Sequence, residues 1–447
     1  MKIQLLLPAG EIHRNRTGIF KRSLRYAPLT LTTLAALVPQ DLQADVSIQD
    51  EGVAAIDLNF EADLVGISAI TGTAPRAYEL ADRLRARGTT VVLGGVHPTL
   101  LPDEAAVHAD AVVVGYAEQS WPELLRDFAA GRLQSRYQQQ SARTLHVPLA
   151  RRDLLDRSRY ATINSIEATR GCPHRCDFCA VPAAWSGIYA HRPIDDVIAE
   201  LETFEDRKAL FIDLSPVEDV RYAKELYRRM ISLGFRWVGL ATTKIAADAE
   251  LLSLAARSGC RGVLIGFEAI DQATLNRTKK HFHSANDYAE VVKKLHDHGI
   301  GIQGCFVFGF DDDDESVFER TVEFVDRVHI DLPRYAVLTP FPGTGVYKKF
   351  AAEDRLLHRD WSRYDVEHVV FKPAQMTPQR LQEGLHWAWK QSYRWSSIAQ
   401  RLWGSKTVLP LSLSLNVGYR YFAQHLAERT PVSDIQLPLK EPALSCG

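Results

Sequence analysis

Three cysteines fall within eight residues, in the stretch Cys172-Pro173-His174-Arg175-Cys176-Asp177-Phe178-Cys179. The spacing is C-x-x-x-C-x-x-C, with an aromatic side chain directly before the last thiol. Soft thiolates this close together can wrap one corner of an iron–sulfur cube. Four would saturate such a cluster. Three leave one iron open to a substrate or cofactor. A zinc loop is the alternative, but zinc asks for a fourth Cys or His at finger-like spacing. His174 lies inside the loop, badly placed to supply it. The remaining cysteines, Cys260, Cys305 and Cys446, are scattered.

The elements that must position this loop can be read around it. Six strand-like apolar runs appear, and five are followed by a helical pattern. Ser165–Thr169 leads straight into the cysteines. Ala209–Ile212 ends at Asp213, and Trp237–Thr242 ends at Thr243-Lys244. Gly262–Gly266 ends at Phe267-Glu268, Ile302–Phe308 at Gly309-Phe310, and Tyr335–Leu338 at Thr339-Pro340. Helices fit at about 193–204, 219–232, 248–258, 285–298 and 315–329. In barrels of this kind the chemistry sits at the carboxyl ends of the strands, which is where the cysteine loop falls. The Asp311–Glu315 acidic run follows a strand and precedes a helix, so capping and the helix dipole account for it. Lys279-Lys280-His281-Phe282-His283 reads as a solvated loop. Thr377-Pro378 opens a helix with a cap and a first-turn proline, on which Leu381, Leu385 and Ala388 share a face.

A separate set of strands precedes the cysteines. Residues 3–7, Asp45–Gln49, Asp63–Ile70, Val91–Leu93 and Ala111–Val114 alternate with helices at Leu29–Val38, around Ala77–Leu84, and from Ser120 to Ala129. Short apolar strands alternating with helices predict a parallel sheet covered on both faces. Ligands of such sheets bind beyond the carboxyl ends of the strands, where Thr71, Gly94, Gly95, Gly115 and Glu118 fall. Gly94-Gly95 is not a G-x-G-x-x-G fingerprint, so no dinucleotide site is read. The long 11–26 loop carries Arg14, Arg16, Lys21, Arg22 and Arg25; it is either a solvated basic loop or one that folds over a neighbouring site.

The cysteine stretch resembles the signature of the radical S-adenosylmethionine (radical SAM) superfamily. The segments Thr339-Pro340-Phe341-Pro342-Gly343-Thr344 and Trp361 to Phe371 resemble others that recur in its cobalamin-domain branch. The Gly94-Gly95-Val96-His97-Pro98 turn and the Val113-Val114-Gly115-Tyr116-Ala117-Glu118 strand end resemble the cobalamin-binding domain that precedes many members. One departure stands out: the D-x-H-x-x-G that supplies a cobalt-ligating histidine is absent. The corresponding loop reads Gly10-Glu11-Ile12-His13-Arg14-Asn15-Arg16-Thr17-Gly18. The resemblance implies a 4Fe–4S cluster on Cys172, Cys176 and Cys179, with S-adenosylmethionine on the open iron. It implies contacts to that cofactor from Phe178, Asp213, Thr242, Thr243, Lys244, Glu268 and Gly309. Asp213 stands where relatives often carry Asp-Asp, but here Leu214 follows. Cobalamin, if bound, would lie at Thr71, Gly94, Gly95, Gly115 and Glu118 without a histidine on its lower face.

The expected fold class is therefore α/β: a Rossmann-like parallel sheet of the cobalamin-binding type over 1–140, a linker over 141–160, a partial (β/α)6 radical SAM barrel over 161–345, and a mostly helical extension over 346–447. The expected activity is reductive cleavage of S-adenosylmethionine to drive radical methyl or alkyl transfer in small-molecule biosynthesis. A flavodoxin- or ferredoxin-type donor would supply the electron. Two alternatives stay open: cobalamin-independent radical chemistry (rearrangement or 3-amino-3-carboxypropyl transfer), and an iron–sulfur electron carrier or redox sensor. A carrier needs no substrate cavity, so a six-strand barrel argues against the last.

Composition narrows the partners. With 447 residues, 46% of them apolar and 24% charged, the chain can fill two or three globular cores. A formal net charge of −2 argues against a nucleic-acid binder that relies on bulk charge. No apolar run is long enough to span a bilayer. The N-terminus starts a strand without a secretory pattern, and few, unevenly spaced cysteines suit a reducing cytoplasm.

Overall fold

The computed structural model describes residues 1–10, 27–139, 147–185, 187–404, 407 and 409–436. The basic 11–26 loop with His13, the first residues of the linker, and Cys446 lie outside the described residues. Two compact units are present, Met1–Val263 and Leu264–Gly447.

The first unit opens with strands β1 (Lys2–Leu7), β2 (Asp45–Asp50), β3 (Leu64–Ser68), β4 (Thr90–Gly94), β5 (Ala111–Val114) and β6 (Arg136–Gln138). They form one parallel sheet in the order β2-β1-β3-β4-β5-β6. Side chains on a strand alternate between faces, and two cores follow. Ile3, Leu5, Leu64, Val92 and Trp121 pack on one face. Leu6, Val65, Ile67, Leu80, Val91 and Leu93 pack on the other. The order reverses between β1 and β3, the switch point at which open sheets of this kind take ligands. The helix Ala74–Arg85 starts and stops as its apolar spacing requires, with Ala77, Leu80, Ala81 and Leu84 buried. Strand β6 has no apolar pattern in its sequence. It buries only Tyr137, whose hydroxyl donates to Asp127 at 3.1 Å, and one buried side chain leaves no apolar run to detect.

The second sheet contains β7 (Ser165–Ile166), β10 (Lys208–Phe211), β11 (Arg236–Ala241), β12 (Cys260–Glu268), β13 (Gly301–Phe308) and β14 (Leu332–Val337); between β7 and β10 lie β8 (Thr169–Arg170) and β9 (Ala190–His191). The six sheet strands lie in sequential order, β7-β10-β11-β12-β13-β14. The pairs β7–β10, β10–β11 and β13–β14 run parallel. Helices at Ile194–Glu202, Val220–Ile231, Ala249–Arg257, Tyr288–Asp297 and Val317–Arg327 connect them. This is the open six-strand α/β arrangement expected from the sequence.

One expected strand is divided. Ser165–Thr169 does not run unbroken into the cysteines. Only Ser165 and Ile166 pair in the sheet, and β8 instead pairs antiparallel with β9. The cause is Asp213, whose Oδ1 accepts the backbone N–H groups of Ala168, at 3.0 Å, and Thr169, and the Thr169 hydroxyl at 2.7 Å. These bonds replace the sheet partner and turn the chain outward. The β8–β9 pair then closes the neck of a loop spanning 171–189.

The second unit adds the C-terminal helices Pro378–Ser392, Trp395–Gly404 and Leu409–Arg429. Thr377 caps the first of them, its hydroxyl accepting from Arg380 N at 3.2 Å, and Leu381, Leu385 and Ala388 are fully buried. Among the described residues no helix is long and apolar enough to cross a membrane.

Candidate functional site

The cysteine loop begins where β8 ends. Gly171 has φ +80°, and a Cβ there would lie 2.0 Å from the Ile188 carbonyl oxygen. Only glycine lets the two arms of the loop touch at the neck. Cys172, Cys176 and Cys179 are all partly exposed on this one loop, and Cys179 N donates to Cys176 O at 3.1 Å in a tight turn. Phe178 is half-buried beside them. Among the described residues no three His, Cys, Asp or Glu side chains converge closely enough to share a single metal ion. Ligands to a cube attach to separate irons and stand wider apart.

His174 has a structural partner that its spacing alone did not reveal. Its Nε2 lies 3.0 Å from Glu218 Oε1. The other oxygen of Glu218 takes Lys244 Nζ, and Ser215 donates to Oε1 at 2.9 Å. Burial pushes the Glu218 carboxyl up, but hydrogen bonds and charge from His174 and Lys244 outweigh it and hold it at about 2. A buried carboxylate thus ties the cysteine loop to the carboxyl end of β11. Thr242, which opens the turn Thr243–Ala246, buries its side chain, and its Oγ1 has no hydrogen-bond partner. Such an orphaned hydroxyl beside Lys244 is what a sugar hydroxyl or a carboxylate would satisfy. Asp213, 0% exposed, is turned inward as the brace described above. Burial first, then the charge of Glu167, pushes its carboxyl up to about 7.

In the second unit Glu268 closes β12 with φ +65°, a strained conformation for a non-glycine residue. Lys280 Nζ donates to its Oε1 at 3.0 Å. A Cβ on Gly266 would fall 2.3 Å from that same oxygen, so the glycine makes room for the carboxylate. Lys280 is 7% and His283 2% exposed, which corrects the solvated loop expected at 279–283. His283 Nδ1 lies 3.3 Å from the Tyr288 hydroxyl, and Lys280 reaches back to the strand end. Gly309, φ +103°, is packed under Leu381 and Phe371, and its N–H donates to Asp313 at 2.8 Å. The acidic run is absorbed locally: Asp311 pairs with Lys349 and Arg355, Asp312 with Arg277, and Glu315 with Arg380.

The first sheet presents its turns at the strand carboxyl ends. Gly95, φ +101°, approaches Ala69 so closely that a Cβ would sit 2.6 Å from its carbonyl oxygen. Gly94 faces Val113, and Gly115, whose N–H donates to Thr99 at 2.9 Å, borders open space. Thr71 is buried against His97, Oγ1 to Nδ1 at 3.4 Å, while His97 Nε2 lies 3.0 Å from Glu104. Both ring nitrogens of His97 are thereby engaged. Glu118 turns toward the cysteine loop, where it pairs with Arg170. Around that pair three buried polar atoms have no hydrogen-bond partner: Tyr116 OH, Glu118 Oε2 and Trp185 Nε1. Polar atoms so placed suit a ligand rich in amides and hydroxyls. The residues present thus fit a cluster on the loop, S-adenosylmethionine at the strand ends, and a corrinoid at the turns of the first sheet.

Residues 166–325 match the radical SAM superfamily, and residues 17–125 match the B12 binding domain. The chain belongs to the radical SAM superfamily, in the branch that carries an N-terminal B12-binding domain, and it is an enzyme of the methyltransferase type. Its cofactors are a 4Fe–4S cluster and S-adenosylmethionine, with cobalamin on the first domain. Over 397 residues it is 34% identical to bacteriochlorophyllide d C-12(1)-methyltransferase of Chlorobaculum tepidum, covering 84% of this chain and 85% of the relative. It is 30% identical over 423 residues to bacteriochlorophyllide d C-8(2)-methyltransferase of the same organism, covering 89% and 92%. The solved radical S-adenosylmethionine methyltransferase TsrM from Kitasatospora setae, with cobalamin and a 4Fe–4S cluster bound, shares the fold. Its TM-score is 0.64 at 17% identity, covering 97% of this chain and 98% of that one.

Proposed function

We propose that this enzyme methylates an unactivated carbon of a small molecule, with Cys172, Cys176 and Cys179 as the cluster ligands. The observation that carries the reading is the three-cysteine loop closed at its neck by β8–β9 and anchored through His174 to Glu218 and Lys244. When bound, the cluster, S-adenosylmethionine and cobalamin supply reductive carbon–sulfur cleavage and a transferable methyl group. The protein's part is binding and orientation. Lys244 and the Thr242 and Thr243 hydroxyls offer a charge and donors to the carboxylate and ribose of S-adenosylmethionine. Glu268, held by Lys280, offers an acceptor to its ribose or amino group, and Phe178 packs beside the adenine. Gly94, Gly95 and Gly115 would let backbone approach a corrinoid, and His97 already has both ring nitrogens engaged, by Thr71 and Glu104.

A chlorin-type tetrapyrrole is the substrate class to try first, supported by the 34% and 30% identities to the two bacteriochlorophyllide methyltransferases. A flavodoxin- or ferredoxin-type protein delivers the electron, and a reducing cytoplasm suits the exposed thiols. The test is anaerobic incubation of the reconstituted enzyme with methyl-labelled S-adenosylmethionine, cobalamin, a strong reductant and a chlorophyllide. The expected result is label on a carbon of the pigment together with 5′-deoxyadenosine and S-adenosylhomocysteine. Release of a 3-amino-3-carboxypropyl group would overturn it.

A further inference from the structure

Arg170 stands two residues ahead of the first cluster cysteine, and its guanidinium sits between two carboxylates. One nitrogen takes Glu118, in the last turn of the first sheet. Nε and another nitrogen take Glu167, each at 2.8 Å. The guanidinium carbon also lies 5.0 Å from the centroid of the Tyr116 ring. The far arm of the cysteine loop reaches the same turn. Trp185, which ends the helix Ala180–Trp185 behind Cys179, stacks on Tyr116 with centroids 5.9 Å apart and planes 16° from parallel. The turn Gly115–Glu118 is therefore gripped from both arms of the loop, by a forked cation on one side and an indole on the other. Arg suits this place where Lys would not, because its planar fork satisfies two carboxylates and stacks on a ring at once.

We propose that Arg170 is a positioning residue that fixes the cluster loop against the cobalamin-side turn, and so sets the cluster and cobalamin in register. This rests on the reading of the loop and turn as the two cofactor-bearing elements. Neutralising Arg170 removes the cation and leaves Glu118 and Glu167 facing each other in a partly buried seam, so the loop swings away. Replacement by Lys keeps the charge and loses the fork.

The test uses the full-length protein as wild type, Arg170→Lys, Arg170→Met and Glu118→Gln. After reconstitution with iron, sulfide and hydroxocobalamin, followed by reduction, pulsed EPR reads the magnetic coupling between the reduced cluster and cob(II)alamin. The expected result is one narrow coupling in wild type, a broadened or shifted one in Arg170→Met at unchanged iron and cobalt content, and an intermediate one in Arg170→Lys. A wild-type pattern in Arg170→Met overturns the proposal. The cofactor-free protein gives an independent readout. Amide hydrogen exchange over 172–185 should quicken on the order of tenfold to a hundredfold in Arg170→Met and in Glu118→Gln, the loss of a charged hydrogen bond. Unchanged exchange in both overturns the clamp. Wild type that takes up neither cofactor while the variants' exchange quickens would overturn the cofactor assignment and leave the clamp standing.

Discussion

The sharpest quantitative expectation concerns Glu268. Its carboxylate is held by three features: a left-handed backbone at φ +65°, a 3.0 Å bond from buried Lys280, and the bare α-carbon of Gly266. Replacing Glu268 with Ala would strand the Lys280 ammonium, and losing one partner of a buried pair costs about 3–5 kcal/mol of stability. Such a variant would confuse folding with binding. Glu268→Gln keeps the shape and an acceptor oxygen for Lys280 and removes only the charge. If the carboxylate bonds S-adenosylmethionine, the loss is about 1.5–3 kcal/mol, so the dissociation constant should rise on the order of tenfold to a hundredfold. Gly266→Ala reaches the same site without touching Glu268. Its Cβ would fall 2.3 Å from Oε1, so the carboxylate must move, and the affinity should fall similarly. A backbone control separates strain from charge. Glu268→Gly should be more stable than Glu268→Ala by about 1–2 kcal/mol, because glycine tolerates the left-handed conformation. Equilibrium dialysis with labelled S-adenosylmethionine on anaerobically reconstituted protein measures the affinities. Unchanged dissociation constants in both Glu268→Gln and Gly266→Ala would refute a cofactor contact and leave Glu268 as the partner of Lys280 alone.

Three further outcomes are expected. Replacing Cys172, Cys176 or Cys179 with Ala should abolish cluster assembly and cleavage of S-adenosylmethionine, whereas Cys260→Ala and Cys305→Ala should retain iron; iron analysis and visible absorption decide it. Asp213 should make stability depend on pH, because burial raises its folded-state value to about 7 from an ordinary 3.8. Its favourable contribution is complete below pH 4 and lost as pH rises through 7. The difference in unfolding free energy should therefore shift toward Asp213→Asn between about pH 4 and about pH 7, by at most about 1.4 kcal/mol per pH unit, and a pH-independent difference would contradict the assignment. Finally, hydroxocobalamin added to the protein should give the same axial-ligand spectrum in wild type and His97→Ala, since His97 is engaged by Thr71 and Glu104; a histidine signature lost in the variant would overturn that binding mode.

Whatever depends on near neighbours along the chain is legible in the residue order. The C-x-x-x-C-x-x-C spacing, the alternation of apolar strands and amphipathic helices, and the Thr377-Pro378 cap are all local, so they are written in the sequence. So is the placement of Thr242, Lys244 and Glu268 at strand ends, because a strand's length and polarity tell where it stops. The tertiary structure alone decided which distant charges meet. Glu118 and Arg170 are 52 residues apart, Lys244 and Glu218 are 26 apart, and Asp213 is 45 from the Ala168 N–H that it holds. Nothing in the spacing of these residues marks them as partners. Each carboxylate would be equally at home in solvent, and what draws it inward is a cation or a backbone donor brought alongside by the sheet. The same holds for the divided strand before the cysteines: its residues have the pattern for pairing, and buried Asp213, just past the end of the neighbouring strand β10, offers their N–H groups a side-chain acceptor in place of a sheet carbonyl.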